Sequence, residues 1–142
     1  MFCFSFLFFA FSGCVKNLPI EFKDCDLEIF CATQTQPSLS YNNIKNGNGC
    51  VYFCQYKDQD FLLNQLNNVE GISYVLHGDY SLFCDLKNKL NVDCIENTLD
   101  SCVGYSDYFN MSTFYNGKKV NVQMCFSKDK IFVGTPLILG CY

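Results

Sequence analysis

Eleven cysteines in a chain of 142 residues restrict what this sequence can fold into. Such a high fraction of cysteine, in a chain long enough for one domain, is typical of extracellular proteins that reinforce a small core with disulfide bonds. Zinc sites usually have two pairs of ligands, each pair two to four residues apart. Only Cys50 and Cys54 are that close, and the sequence has no second such pair. The sequence therefore predicts structural disulfides and neither a metal site nor a cofactor.

The first twelve residues predict a signal peptide. The apolar run from Phe2 to Phe11 is too short to span a bilayer, and Ala10 and Ser12 fit a small-x-small cleavage pattern. Cleavage before Gly13 would remove Cys3 and leave residues 13–142 as a single mature domain, secreted and extracellular. Two alternatives are a buried N-terminal helix, disfavoured by the lack of a polar face, and a bacterial lipoprotein ending at Cys14.

An even number of cysteines remains after this cleavage, as full pairing requires. We expect all of them to form disulfides. On the order of 1,000 connectivities are possible, and the sequence does not choose among them. They are Cys14, Cys25, Cys31, Cys50, Cys54, Cys84, Cys94, Cys102, Cys125 and Cys141.

The charge balance excludes one class of function. The net charge is -4 and all ten basic residues are lysines, so the chain lacks the basic stripe that contacts phosphates. We therefore expect no nucleic-acid partner. Apart from the N-terminal run, no stretch is long and apolar enough to predict a transmembrane segment.

Apolar spacing predicts a mainly α fold. Helices are expected over residues 25–32, capped by Asp24, over 50–69, over 80–90, capped by Asp79, and from Asn91 to Val103. Residues 33–49 are predicted to be a polar surface loop and residues 72–76 a strand.

The C-terminal region has a strand-like pattern. Alternating residues on both sides of Asn116-Gly117 predict a β-hairpin with a primed turn, although Asn-Gly also ends helices. The expected fold is a small disulfide-stapled helical domain with this hairpin, and the alternative is an α+β fold.

The cysteine spacing resembles two groups of secreted proteins. Cys25, Cys50, Cys54, Cys84, Cys94 and Cys102 are separated by 24, 3, 29, 9 and 7 residues, similar to the six-cysteine framework of insect odorant-binding proteins. The segment LFCDLKNKLNVDCIENTLDSC resembles small helical cysteine-rich secreted proteins of arthropods. The first resemblance implies helices around an apolar cavity. It departs from the family in the extra cysteines and the long C-terminal tail.

Few side chains suggest catalysis. His77 is interpreted as a turn residue, and Asp93, Glu96 and Asp100 as the solvated face of a helix, as are Asp24, Asp26 and Glu28. Bridged cysteines cannot act as nucleophiles. The sequence therefore predicts no enzymatic activity.

The expected function is binding outside the cell. One hypothesis is a carrier of small hydrophobic ligands; the alternative is an effector, venom component or inhibitor that acts on another protein through its surface. The second rests on an aromatic cluster that could form a contact patch or be buried under the tail: Tyr105, Tyr108, Phe109, Phe114 and Tyr115. The sequon Asn110-Met111-Ser112 predicts N-glycosylation of Asn110.

Overall fold

The computed structural model describes residues 17–32, 41, 43–46 and 49–138. The predicted signal peptide, its cleavage site, Cys14 and Cys141 lie outside these residues. The strands are β1 (Asp26–Cys31), β2 (Asn43–Asn46), β3 (Gly49–Gln55), β4 (Val69–His77), β5 (Asp93–Asn97), β6 (Ser101–Tyr105), β7 (Thr113–Tyr115), β8 (Lys118–Val120), β9 (Val122–Ser127) and β10 (Lys130–Thr135). Two α-helices, α1 (Gln59–Leu63) and α2 (Tyr80–Lys89), and 3₁₀ turns at Ile20–Asp24 and Tyr56–Asp58 complete the described elements.

Eight strands form one antiparallel sheet in the order β2-β3-β1-β4-β10-β9-β6-β5. Strands β7 and β8 form a separate hairpin. The described chain is thus mainly β, and the predicted mainly α fold is wrong. The resemblance to the helical framework of odorant-binding proteins does not extend to this architecture.

Three predicted helices are strands. Residues 25–32 contain β1, because Leu27, Ile29 and Cys31 alternate with Asp26 and Glu28 and so line one face of a strand. Residues 50–55 belong to β3. Nearly every side chain there is apolar, so the pattern fits the period of a strand as well as that of a helix. Residues 91–103 form most of the β5–β6 hairpin. Within the predicted 50–69 helix, only the 3₁₀ turn at Tyr56–Asp58 and the short α1 are helical.

Other predicted elements are present. The strand predicted at residues 72–76 lies inside β4. Helix α2 begins after Asp79, whose Oδ1 accepts a hydrogen bond of 2.9 Å from the backbone N–H of Leu82, as expected for an N-cap. The hairpin across Asn116-Gly117 is formed by β7 and β8. In the predicted polar loop, Asn43–Asn46 forms β2, which corrects that part of the prediction.

One face of the sheet, the core face, carries the hydrophobic core. Register places Leu27, Tyr74 and Val133 side by side across β1, β4 and β10, and all three are buried. The 3₁₀ turn at Ile20–Asp24 covers this face through Phe22, whose ring lies 5.4 Å from that of Tyr74 in an edge-on arrangement. Helix α2 covers it farther along, where the rings of Phe83 and Phe126 are 6.1 Å apart. These contacts bury apolar area and so stabilise the fold.

The opposite face, the outer face, meets residues 136–138 after β10. A Cβ on Gly134 would lie 2.3 Å from the backbone nitrogen of Ile138, so the chain crosses here because position 134 has no side chain. The N–H of Ile138 donates to Oε1 of Gln123 at 3.0 Å and fixes the crossing.

Candidate binding surface

Strand β5 is one edge of the eight-stranded sheet and is mostly exposed. Its pairing with β6 is interrupted between Cys94 and Glu96, where Ile95 is a bulge residue without a register partner. Ile95 is one of the exposed large apolar side chains of the described chain. The bulge and the exposed carboxylates of Asp93 and Glu96 make β5 a poor template for adding another strand.

Helix α2 supports this edge from the core face. The ammonium of Lys87 donates to Oδ1 of Asn97 at 2.6 Å, and the hydroxyl of Tyr80 donates to the carbonyl of Leu99 at 2.7 Å. The two contacts fix the end of β5 and the turn into β6. Leu99 follows Ile95 by four residues, a spacing typical of one face of a helix, but its side chain is 79% exposed in the turn.

The β7–β8 hairpin adjoins the same edge. Its turn residues Asn116 and Gly117 have φ of 49° and 76°, the positive values that a primed two-residue turn requires. The neighbouring carboxylate of Glu96, as a hydrogen-bond acceptor for the hydroxyl, raises the pKa of Tyr115. The hairpin is held to the sheet at its base, where Val120 is fully buried and the N–H of Asn121 donates to the carbonyl of Gly104 on β6 at 3.0 Å.

Phe114 is the most exposed member of the predicted aromatic cluster. It is 76% exposed and stands beside Lys119, its register partner on β8. Tyr105, at the end of β6 opposite Asp93, is 41% exposed. We call the set Ile95, Glu96, Tyr105, Phe114 and Lys119 the β5-edge surface.

The remaining aromatic residues of the cluster are less accessible. Tyr108 and Tyr115 are partly buried, and Phe109 is only 2% exposed, with its ring 6.5 Å from that of Tyr74 in the core. The cluster is thus divided between the core and the surface, and neither single prediction, a contact patch or complete burial, describes it.

A buried polar network supports the base of the hairpin. The amide of Asn121 accepts a hydrogen bond from the N–H of Ser106 at 2.8 Å and donates to the carbonyls of Ser106 and Phe109 at 2.8 and 2.9 Å. The hydroxyl of Ser106 donates to the carbonyl of Leu90 at 2.6 Å. Because these groups are buried and satisfied, they fix the loop between β6 and β7.

The candidate acid–base residues do not converge. His77 is exposed at the end of β4, opposite Lys130. Asp93 and Glu96 lie on β5, and three strands separate β5 from β4 in the sheet. Asp100 is in the β5–β6 turn and Asp26 and Glu28 are on the outer face of β1, so neither acidic set lies on the predicted helix. The described residues contain no group of three or more histidines, cysteines or carboxylates that could hold a metal ion.

The eight cysteines in the described ranges are all free thiols. None of the disulfides predicted for these residues is present in the structure, which corrects the prediction of a stapled domain there. Burial raises the pKa of Cys25, Cys54 and Cys102 to about 12 and that of Cys31 to about 11, and neighbouring negative charges, Asp26 beside Cys25 for example, add to the shift. Their thiolates are therefore scarce at neutral pH.

Asn110 lies in the irregular segment between β6 and β7. It is exposed, and so is Ser112 of the same sequon. Glycosylation there stays a prediction. In the part of the chain that the structure describes, no helix combines the length and the hydrophobicity needed to cross a membrane.

Comparison with known proteins gave no match to a family model, a curated protein or a solved structure. The resemblances found by spacing therefore gain no support. The sequence predicts only part of the β5-edge surface, because Phe114 and Tyr105 belong to the predicted aromatic cluster whereas Ile95 lies in the helix predicted from Asn91 to Val103.

Proposed function

We propose that the protein is a secreted, non-enzymatic binding protein that engages another extracellular protein through the β5-edge surface. The observation that carries the proposal is the exposure of Phe114 on a hairpin whose base is fixed to the sheet by Val120 and Asn121. Aromatic side chains in this position are frequent anchors of protein interfaces, where a few residues supply most of the binding energy.

The energetics favour such an anchor. Full burial of a Phe side chain contributes about 1.5–3 kcal/mol, the equivalent of roughly 10- to 100-fold in affinity. The hydrogen bond from the N–H of Asn121 to the carbonyl of Gly104 and the two-residue turn hold the hairpin before any partner arrives. Little conformational freedom is then lost on binding.

Recognition would use side chains and not the backbone of β5. The bulge at Ile95 and the carboxylates of Asp93 and Glu96 oppose the addition of a partner strand, whereas Phe114 and Lys119 stand together on the same side of the hairpin. At the hairpin, the surface offers the aromatic ring of Phe114 with the cation of Lys119 beside it.

The non-enzymatic part is supported by the separation of His77 from the carboxylates of β5 across the sheet. Secretion is supported by the apolar N-terminal run. The carrier hypothesis drew on helices around a cavity, an arrangement that the described sheet replaces, and so it loses its main argument.

Photo-crosslinking tests the surface. A benzoylphenylalanine placed at position 114 of the full chain, incubated with extracellular fluid of the source organism, should give a discrete crosslinked protein. The matched control is the same group at position 44, because Ile44 is also an exposed apolar residue but lies on β2 at the opposite edge of the sheet.

Variants complete the test. Phe114→Ser should weaken capture of the crosslinked protein roughly 10- to 100-fold, and Ile44→Ser should leave it unchanged. Equal crosslinking from both positions would contradict the proposal. Secretion is tested separately by expression in a eukaryotic host, where the secreted chain should begin at Gly13; retention inside the cell would overturn that part alone.

A further inference from the structure

Three sulfur-containing side chains lie in a row across β5, β6 and β9. Cys102 is the register partner of Met124 on β9, and Gly104, two residues after Cys102 on β6, is the register partner of Cys94 on β5. Register partners share a face of the sheet, as do residues two apart on one strand, so all three side chains belong to the core face. Cys102 and Met124 are buried, at 1% and 0% exposure.

The separation of the two thiols suits a bridging ion. Cys94 and Cys102 are diagonal neighbours, whose Cα atoms are about 7–8 Å apart in an antiparallel pair. This exceeds the usual Cα separation of about 4.4–6.8 Å across a disulfide, whereas an ion between the two sulfurs spans it. Burial raises the pKa of Cys102 to about 12, and the neighbouring thiol of Cys94 adds to the rise. The two thiols are therefore close enough to affect each other's ionisation.

A cation lies near the pair. The ammonium of Lys87 on α2 donates to Oδ1 of Asn97, the register partner of Cys102, at 2.6 Å. The charge of Lys87 lowers the pKa of Cys102 and so opposes the effect of burial. Two thiolates around a monovalent metal ion carry one net negative charge, which this ammonium would balance.

The row of sulfurs is reachable from the edge of the sheet. β5 is the last strand, and Cys94 on it is only partly buried. The bulge at Ile95 interrupts the pairing of β5 with β6 beside Cys94. A small ion would therefore reach the thiols without opening of the core. Cys31 and Cys50, near the other edge, are both buried.

We propose that Cys94, Cys102 and Met124 bind one soft monovalent metal ion, with Cu(I) as the physiological occupant. Thiolate and thioether sulfurs are the ligands that select Cu(I). On binding, each thiol gives up its proton to solvent and forms a metal–sulfur bond, and the thioether of Met124 adds its sulfur without losing a proton. Zinc is a poor occupant, because the described residues contain no group of three or more histidines, cysteines or carboxylates for a tetrahedral site.

Competition for Cu(I) tests the thiol ligands. The reduced full chain, kept under nitrogen, is titrated with Cu(I) in the presence of the chromogenic chelator bicinchoninate. The unmodified chain should take a first, tight equivalent from the chelator, and Cys94→Ser/Cys102→Ser should lose it. The matched control, Cys31→Ser/Cys50→Ser, removes two buried thiols that face each other on the same side of the sheet and should keep it. Equal loss in both variants, or no uptake by the unmodified chain, would overturn the proposal.

X-ray absorption of the Cu(I)-loaded chain tests the third ligand and the ion. The spectrum should show sulfur ligands only, with one fewer in Met124→Leu. Lys87→Met should weaken Cu(I) binding by roughly 10- to 100-fold and leave the sulfur ligands unchanged, as expected for a group outside the ligand shell. An unaltered sulfur count in Met124→Leu would remove Met124 from the site. Displacement of Cu(I) by an equal concentration of Zn(II) would contradict the assignment of a soft ion.

The unmodified chain provides a further measurement in case the double variant fails to fold. Cys84 and Cys94 are both partly buried, and trypsin places them in the separate peptides 58–87 and 90–118. One equivalent of Ag(I), a substitute for Cu(I) that air does not oxidise, should block alkylation of Cys94 and leave Cys84 reactive. Equal protection of the two thiols would overturn the proposal. The outcome is independent of the binding proposal, because it does not involve the exposed side chains of the β5-edge surface.

Discussion

The hydroxyl of Tyr74 donates a hydrogen bond of 2.7 Å to Oε1 of Gln59 in the interior of the protein. Tyr74 is in β4 near the centre of the sheet, and Gln59 is the first residue of α1, so the bond joins the short helix to the core face. Tyr74→Phe would leave the Gln59 oxygen buried without this donor. We expect a loss of about 1–3 kcal/mol in the free energy of unfolding, measured by urea denaturation.

The control for this substitution is Tyr105→Phe, which removes a hydroxyl from an exposed tyrosine on β6. It should change the free energy of unfolding by less than about 0.5 kcal/mol. Equal effects of the two substitutions would show that the buried hydrogen bond contributes nothing specific.

Asn121 is the second buried polar anchor, and its side chain makes three hydrogen bonds to the backbone of Ser106 and Phe109. Asn121→Ala would leave the Ser106 N–H and two carbonyls without these partners. We expect destabilisation of about 2–4 kcal/mol by chemical denaturation. Asn67→Ala, at an exposed position, should stay within about 0.5 kcal/mol of the unmodified protein; a similarly small effect at Asn121 would refute the anchoring role.

Gly117 determines the turn of the β7–β8 hairpin. Its φ is 76°, and a Cβ built there meets no atom within 4 Å, so any cost of substitution is conformational. Gly117→Ala should destabilise the protein by about 1–2 kcal/mol in thermal or urea unfolding. Gly117→Asn should cost less, because Asn tolerates positive φ. A larger loss for Asn than for Ala would contradict the backbone explanation.

Local signals in the sequence predicted three elements well. Asp79 before an apolar i, i+3, i+7 pattern gave the helix α2, Asn116-Gly117 gave the hairpin, and ISYVL gave the centre of β4. Each depends on interactions within a few residues, namely a cap, a positive φ or β-branched side chains. Such information is present in the local sequence.

The remaining strands depend on distant partners. β1 pairs with β3 and β4, and its sequence is ambiguous because the acidic and apolar residues alternate as in a strand while Leu27, Phe30 and Cys31 also fit a helical spacing. In the β5–β6 hairpin, Ile95 and Leu99 have the four-residue spacing of a helix face, yet Ile95 is an exposed strand residue and Leu99 an exposed turn residue. The position of Cys31 opposite Cys50 follows only from the register of β1 and β3, which no local pattern reveals.

Buried thiols give the protein a distinctive response to alkaline pH. Burial, with Asp26 beside Cys25 and Asp58 beside Cys54, raises the pKa of each of these two thiols to about 12, whereas an unfolded thiol titrates near about 8.5. Between these values the unfolded chain releases protons that the folded chain keeps, so stability is lost as the pH rises from about 9 toward 12. Urea unfolding of the reduced protein should show a midpoint that falls over this window. The Cys25→Ala variant keeps every other titrating group, so its urea midpoint should fall less steeply with pH. Parallel curves for the two proteins would show that the Cys25 thiol is not responsible.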